Sequence, residues 1–226
     1  MSFYHGPTVV TNGLILSLDA ADKNSYPGSG TTWRDMSGNN RTGTLTNGPT
    51  FSSANGGNIV FDGTNDYVDF GTTDLSITRD FTISFWINGF GSGNRDVFNK
   101  GYGSPYGLYI IKTTAGNLSS QASLTSGFYQ VDTTATSFTG INHFSFVRNN
   151  TNGAWYINGA AENSATISGN NISQDASKTW RFGGNFDFVI GAFSGNLYNF
   201  MIYNVPLTAL QVLQNYNATK SRFGLT

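Results

Sequence analysis

The chain has 226 residues, 12 Lys plus Arg against 13 Asp plus Glu, and a formal net charge of −1. That balance excludes the basic footprint of a nucleic-acid binder and leaves no field to attract an anionic membrane. There is no cysteine, which excludes a disulfide framework and thiol chemistry; 28 Gly and 15% aromatics point instead to a β protein with many tight turns.

The chain opens "MSFYHGPTVV", without the basic-then-apolar pattern of a signal peptide, and no run of about 18 apolar residues occurs anywhere. The expectation is synthesis in the cytoplasm, no membrane insertion, and release to any outside role by lysis. Residues 1–12 read as an N-terminal arm whose Phe3 and Tyr4 have no place in a strand pattern. "LILSL" (14–18) is the first predicted strand. Residues 20–56, rich in Gly, Asn, Ser and Pro, read as a long, mostly irregular excursion that needs pinning by turns, a metal or a partner.

Strands are predicted over "GNIVF" (57–61) and "DYVDF" (66–70), with Asp62-Gly63 and Asn65-Asp66 forming the turn between them. "DFTISFWING" (80–89) places Phe81, Ile83, Phe85 and Ile87 on one face and Thr82, Ser84 and Trp86 on the other. "DVFNKG", "YGLYIIK", "NLSSQASL", "GFYQVDT", "INHFSFVRN" (141–149), "AWYING" (154–159), "FDFVIGAF" (186–193) and "GNLYNFMIYN" (195–204) continue the series. Strands about ten residues apart predict a sandwich or barrel. "NNTNGAW" and "INGAAENS" fit tight hairpins, because Asn-Gly adopts positive φ at little cost. One helix is predicted in "VPLTALQVLQNYNATK", with Thr208 as N-cap, Gln211 as its capping-box partner, and Leu210, Leu213 and Tyr216 close to one face. One domain spans 13–217, and 218–226 is a tail carrying Phe223 and Leu225.

The residue types weigh against catalysis. Glu162 is the single glutamate and sits in an expected turn, whereas glycoside hydrolysis needs two facing carboxylates. His143 lies in a predicted strand with no nucleophile-elbow motif near it. "DGTND" spaces Asp62, Thr64 and Asp66 like the start of a calcium loop, but Tyr67 and Thr73 stand where such a loop needs Gly and Glu. Asp19, Asp35 and Asp62 are candidates for a calcium shell completed by main-chain oxygens, the alternative being Asx turns. Tyr102, Tyr106 and Trp180, in loops dense in Gly and Asn, are candidates to stack on a sugar or anchor a partner.

The ordered set "LILSLDAADKNSYPGSGTTWRDMSGNNRTGTL", "IVFDGTNDYVDF", "FTISFWI", "HFSFVRNNTNGAWYING" and "VIGAFSGNLYNFMIYNVPLTALQVLQNYNATKSRFG" resembles the laminin G-like, concanavalin A-like jelly-roll family. The resemblance implies an all-β fold of two antiparallel sheets with one short C-terminal helix, and binding of glycans or proteins, with calcium at a rim in some members. Related glucanases carry a Glu-x-Asp-x-x-Glu signature that this sequence lacks, which implies a non-enzymatic role. The variant with "LDAADKNSYPGSGTTWRDMSGN" in front and "NYNATKSRFG" behind resembles modules on virion proteins of tailed bacteriophages. That implies a capsid-decoration, tail or fibre component on the virion surface. It would dock on other virion proteins through Phe3, Tyr4, Phe223 and Leu225 and assemble as a homo-oligomer. The alternative is a lectin-like carbohydrate-binding module, with or without calcium, directed at a host-surface glycan.

Overall fold

The computed structural model describes residues 7–101, 107–184 and 191–226. Among the described residues sixteen strands occur in chain order: Leu14–Asp19 (β1), Thr32–Trp33 (β2), Gly43–Thr46 (β3), Thr50–Ser52 (β4), Asn58–Asp62 (β5), Tyr67–Asp69 (β6), Phe81–Asn88 (β7), Arg95–Asn99 (β8), Leu108–Lys112 (β9), Leu118–Ser123 (β10), Phe128–Asp132 (β11), Ile141–Asn149 (β12), Asn152–Ile157 (β13), Ala160–Thr166 (β14), Arg181–Phe182 (β15) and Ser194–Tyr203 (β16). One helix, Ala209–Thr219 (α1), follows, and a 3-10 turn over Lys220–Phe223 continues it. The first sheet runs β14-β13-β12-β7-β16-β5-β4, with β1 also on β16; the second runs β11-β10-β9-β8-β15-β6-β3-β2. The expected all-β sandwich of two antiparallel sheets with a C-terminal helix is therefore present.

The sheets face each other across an aromatic core. Phe61, Phe85, Phe182, Phe193 and Phe200 form one connected set of ring contacts, with centroids 5.3 to 6.2 Å apart. Alternation puts Phe81, Ile83, Phe85 and Ile87 into this core, as predicted. The opposite face of β7 is buried too, because α1 and its 3-10 extension cover it. Trp86 stacks on Tyr216 (5.6 Å, 17°), contacts Phe223 (4.5 Å), and donates its indole N–H to Thr219 Oγ1 at 2.8 Å. Val10, Val147, Met201, Tyr203, Leu207 and Val212 make a second small core beneath the helix.

Thr208 caps α1 in the predicted reciprocal capping box with Gln211. The predicted face is corrected. Val212 and Asn215 are buried, while Leu210 and Leu213 are 77% and 39% exposed. The arm fixes this rotation: Asn215 Oδ1 accepts the Val10 N–H at 2.8 Å, and Gln214 donates to the Thr8 carbonyl at 2.7 Å. The polar Asn215 thus turns inward to meet a backbone group, and two leucines face solvent.

Two further expectations change. Residues 20–56 contain β2, β3 and β4, and Trp33 within them is fully buried. Asp35 pins this region through turns, accepting the N–H groups of Ser17, Ser37 and Arg41 and the Ser37 hydroxyl at 2.8 to 3.0 Å. The turn expected between "NIVF" and "YVDF" is present, and it carries the chain from the first sheet (β5) to the second (β6). In "NNTNGAW" the turn falls on Asn150 and Thr151, between the paired Asn149 and Asn152. Gly153 stays in the strand, where a Cβ would meet Val131 at 2.9 Å.

Candidate binding face on the second sheet

Among the described residues, those nominated from sequence lie in separate parts of the fold. Trp180 is a core residue, fully buried and stacked on Phe98 at 5.2 Å and 7°, so it offers no ring to a ligand. Tyr102 and Tyr106 lie outside the described residues, as do Phe3 and Tyr4 and residues 186–190 of the strand expected at 186–193. Phe223 is not free for docking, because its ring packs on Trp86 and on Tyr198 (5.0 Å). Leu225 is half-buried behind it, its N–H donated to the Lys220 carbonyl. The segment 218–226 therefore begins inside α1 and closes the first sheet.

The three calcium candidates do not fit a shared ion. Asp19 Oδ1 accepts from Ala21 N–H at 2.8 Å and from the Arg222 guanidinium at 2.7 Å. The Asp35 carboxylate is filled by the four donors described above. Asp62 Oδ1 takes the Thr64 N–H at 2.7 Å, as an Asx turn does. Asp66 accepts the Asp62 N–H at 3.0 Å, and burial pushes its carboxyl above the ordinary value. Among the described residues no group of three His, Cys, Asp or Glu side chains could hold a metal.

Neither residue weighed for catalysis faces a substrate. His143 is fully buried under α1, with Nε2 2.7 Å from Ser84 Oγ and Nδ1 without a partner. Burial holds its imidazole down at about 3, so it is neutral. Glu162 is not a solvated turn residue but part of β14. Its Oε1 takes the Thr134 N–H and hydroxyl and the Ala135 N–H at 2.6 to 2.9 Å, which closes the side of the sandwich where β11 and β14 meet.

The two sheets differ in how their outer faces are covered. Helix α1 lies on the first. On the second, alternation outward from the core residues Leu45, Val68, Phe182, Phe98, Ile110, Ala122, Tyr129 and Val131 defines the outer set. Strand pairing then sets Thr44, Asp69, Arg181, Asn99, Tyr109, Gln121 and Gln130 side by side across the sheet; Asn99 and Tyr109 in the middle of this row are buried, and the β10–β11 end is the open part. Arg181 lies 3.7 Å from Asp69 and over the Tyr67 ring at 4.3 Å. At the β10–β11 end, Phe128 is paired with Ser123 and stands 54% exposed beside Gln130. Gln121 donates to Ser119 Oγ, and Gln130 donates to both Asp132 oxygens at 2.8 and 3.0 Å. Each glutamine is thus oriented with its amide oxygen left as an acceptor. An exposed ring beside oriented amides offers an apolar face and hydrogen bonds at once, the pairing a pyranose presents in return.

A profile of the Concanavalin A-like lectin/glucanases superfamily matches residues 62–213, and the chain belongs to this family. No curated protein matches the sequence. Among solved structures, the binding domain of Paraclostridial Mosquitocidal Protein 1 is similar at 20% identity and a TM-score of 0.71, over 92% of this chain and 52% of that one. Domain 4 of a GH43 extracellular arabinanase from Geobacillus stearothermophilus, in complex with arabinotriose, is similar at 20% identity and a TM-score of 0.68, over 90% of this chain and 98% of that domain. The binding domain of botulinum neurotoxin DC, in complex with SialylT, is similar at 15% identity and a TM-score of 0.72, again over 92% and 52%. The chain spans about half the length of the toxin domains. At these identities the likeness establishes the fold.

Proposed function

We propose that the chain is a non-catalytic glycan-binding module whose contact surface is the β10–β11 end of the second sheet's outer face, centred on Phe128, Gln121 and Gln130. The observation that carries the reading is Phe128, the one aromatic among the large apolar residues found exposed on the described part of the chain. A phenylalanine more than half exposed on the edge strand, beside two oriented amides, leaves its ring open to a ligand. The arabinotriose and SialylT complexes of two similar domains support a sugar as the ligand class. The test is a glycan array read with the wild type and Phe128→Ala. Selective binding by the wild type and loss by the variant support the reading; silence of the wild type on all glycans overturns it.

Display on a bacteriophage virion is the second reading. It rests on the ordered motifs of residues 14–45 and 189–224, and the outward Leu210 and Leu213 favour it as an apolar pair suited to a protein partner. Particles purified by density gradient should carry the chain. Particles that lack it at every stage of assembly would rule this placement out.

A further inference from the structure

The bend between β7 and β8 has no part in the face at Phe128. Its sequence, "GFGSGN" (89–94), alternates glycine with other residues. Gly89, Gly91 and Gly93 take φ of +82°, +76° and +76°, while Phe90, Ser92 and Asn94 stay out of the left-handed region. Such alternation turns successive N–H groups toward one concavity, a nest that attracts anions. Residues 91–94 are exposed, and their N–H groups have no hydrogen-bond acceptor among the described residues.

Two cations adjoin this bend. Arg95 and Lys112 are directly opposed in the β8–β9 register, an arrangement that like charges disfavour. Lys112 Nζ donates to the Gly91 and Gly93 carbonyls at 3.3 and 3.2 Å, which leaves it one N–H to spare. Arg95 packs on Gly91, where a Cβ would meet its Nε at 3.1 Å, and its Nη1 donates to the Ala192 carbonyl at 3.3 Å. Among the described residues neither cation makes an ion pair. Asp96 points to the other side of β8 by alternation, and Asp62, paired with Ser194 beside Gly91, takes the Thr64 N–H. The bend is also held in place. Asn94 Oδ1 accepts the Thr114 hydroxyl at 2.7 Å, and the Asn94 carbonyl accepts the Gly191 N–H at 3.2 Å.

Uncompensated cations and free main-chain donors on a fixed bend suit a small anion, because the donors are already oriented before it arrives. They come from three separate elements, the bend, β8 and β9, which fits the oxygens of a tetrahedral group better than a planar carboxylate. We infer that residues 91–94, with Arg95 and Lys112, bind a tetrahedral oxyanion, sulfate or phosphate, either free or as the monoester of a larger ligand. The site is independent of whether the face at Phe128 binds a glycan.

The experiment titrates the isotope-labelled full chain with sodium sulfate and with sodium phosphate, at an ionic strength held constant with sodium chloride, and follows amide resonances by NMR. The amides of Gly91 to Asn94 should shift saturably. Glucose-6-sulfate and glucose-6-phosphate, with glucose as control, distinguish the sources. Binding of the salts alone identifies a free ion, and binding of the esters with glucose silent identifies a group carried on a sugar. Lys112→Gln should weaken the affinity by about fivefold or more. That variant should stay folded, since Lys112 is only half-buried and its charge opposes that of Arg95. Amides that do not respond to either anion, shifts that never saturate or fall elsewhere in the chain, or an unchanged affinity in Lys112→Gln overturn the inference.

Discussion

Removing the ring of Phe223 tests the finding that the chain's last residues belong to the sandwich. The ring is half-buried, lies 4.5 Å from Trp86 and 5.0 Å from Tyr198, and is followed by only three residues. A phenylalanine buries about 150–250 Å² when fully covered, so half-burial at about 25 cal/mol per Å² contributes about 2.5 kcal/mol. Alanine keeps a small part of this, and the lost ring contact adds about 0.5–1 kcal/mol. Phe223→Ala should therefore cost about 2–3 kcal/mol. At about 2–4 °C per kcal/mol for a chain of this size, Tm falls by about 4–12 °C. Differential scanning calorimetry reads this directly, and Trp86 fluorescence should report loss of its cover in the same transition. A Tm within about 1 °C of the wild type would show that the ring contributes nothing to the fold, and would return Phe223 to the set of residues free to meet a partner.

Two further outcomes follow from buried polar groups. Arg148 crosses behind the core with its guanidinium donating to the carbonyls of Thr78 (2.7 Å), Ser168 (3.1 Å) and Asn170, over the Tyr129 ring at 5.2 Å. Arg148→Ala removes donors from three carbonyls, of which that of Thr78 keeps the Ile172 N–H at 3.0 Å, and should cost about 3–5 kcal/mol in urea unfolding. Arg148→Lys should recover less than half, because one ammonium cannot span the fork; full rescue by lysine would refute this. Burial holds His143 at about 3, below its unfolded value near 6.5. Its contribution is intact above about pH 6.5 and declines as pH falls toward 3, because the unfolded chain takes up a proton that the folded chain refuses. His143→Gln should flatten the decline in stability between pH 6 and 4 by about 1 kcal/mol per unit or more, and parallel curves would show that His143 does not drive it.

The fold was legible because its signals are local. Alternation in "FTISFWI", the Asn158-Gly159 turn and the Thr208–Gln211 capping box each depend on a few neighbouring residues, and the structure holds all three. Which face of an element is covered is not local. Periodicity groups Leu210 with Leu213, but the bond from Val10 N–H to Asn215 turns that face outward, across a sequence separation of 205 residues. Trp180 has the composition of a binding loop, yet it is pinned between β6 and β8 and stacks on Phe98. Phe128 was hidden for the converse reason: in "GFYQVDT" it alternates with Tyr129 and Val131, and only the position of the core decides which of the two faces is wet. Asp19 and Asp35 carry oxygens that suit a cation, but the nearby N–H groups and Arg222 take them first.

The central claim is that the second sheet presents a sugar-binding face built on Phe128. Phe128 is exposed, so Phe128→Ala should leave Tm within about 1–2 °C of the wild type. Titration calorimetry with the best glycan from the array, on the wild type and on Phe128→Ala, is the most direct measurement. A fall in affinity of tenfold or more in the folded variant is the predicted result, while unchanged affinity would contradict the account.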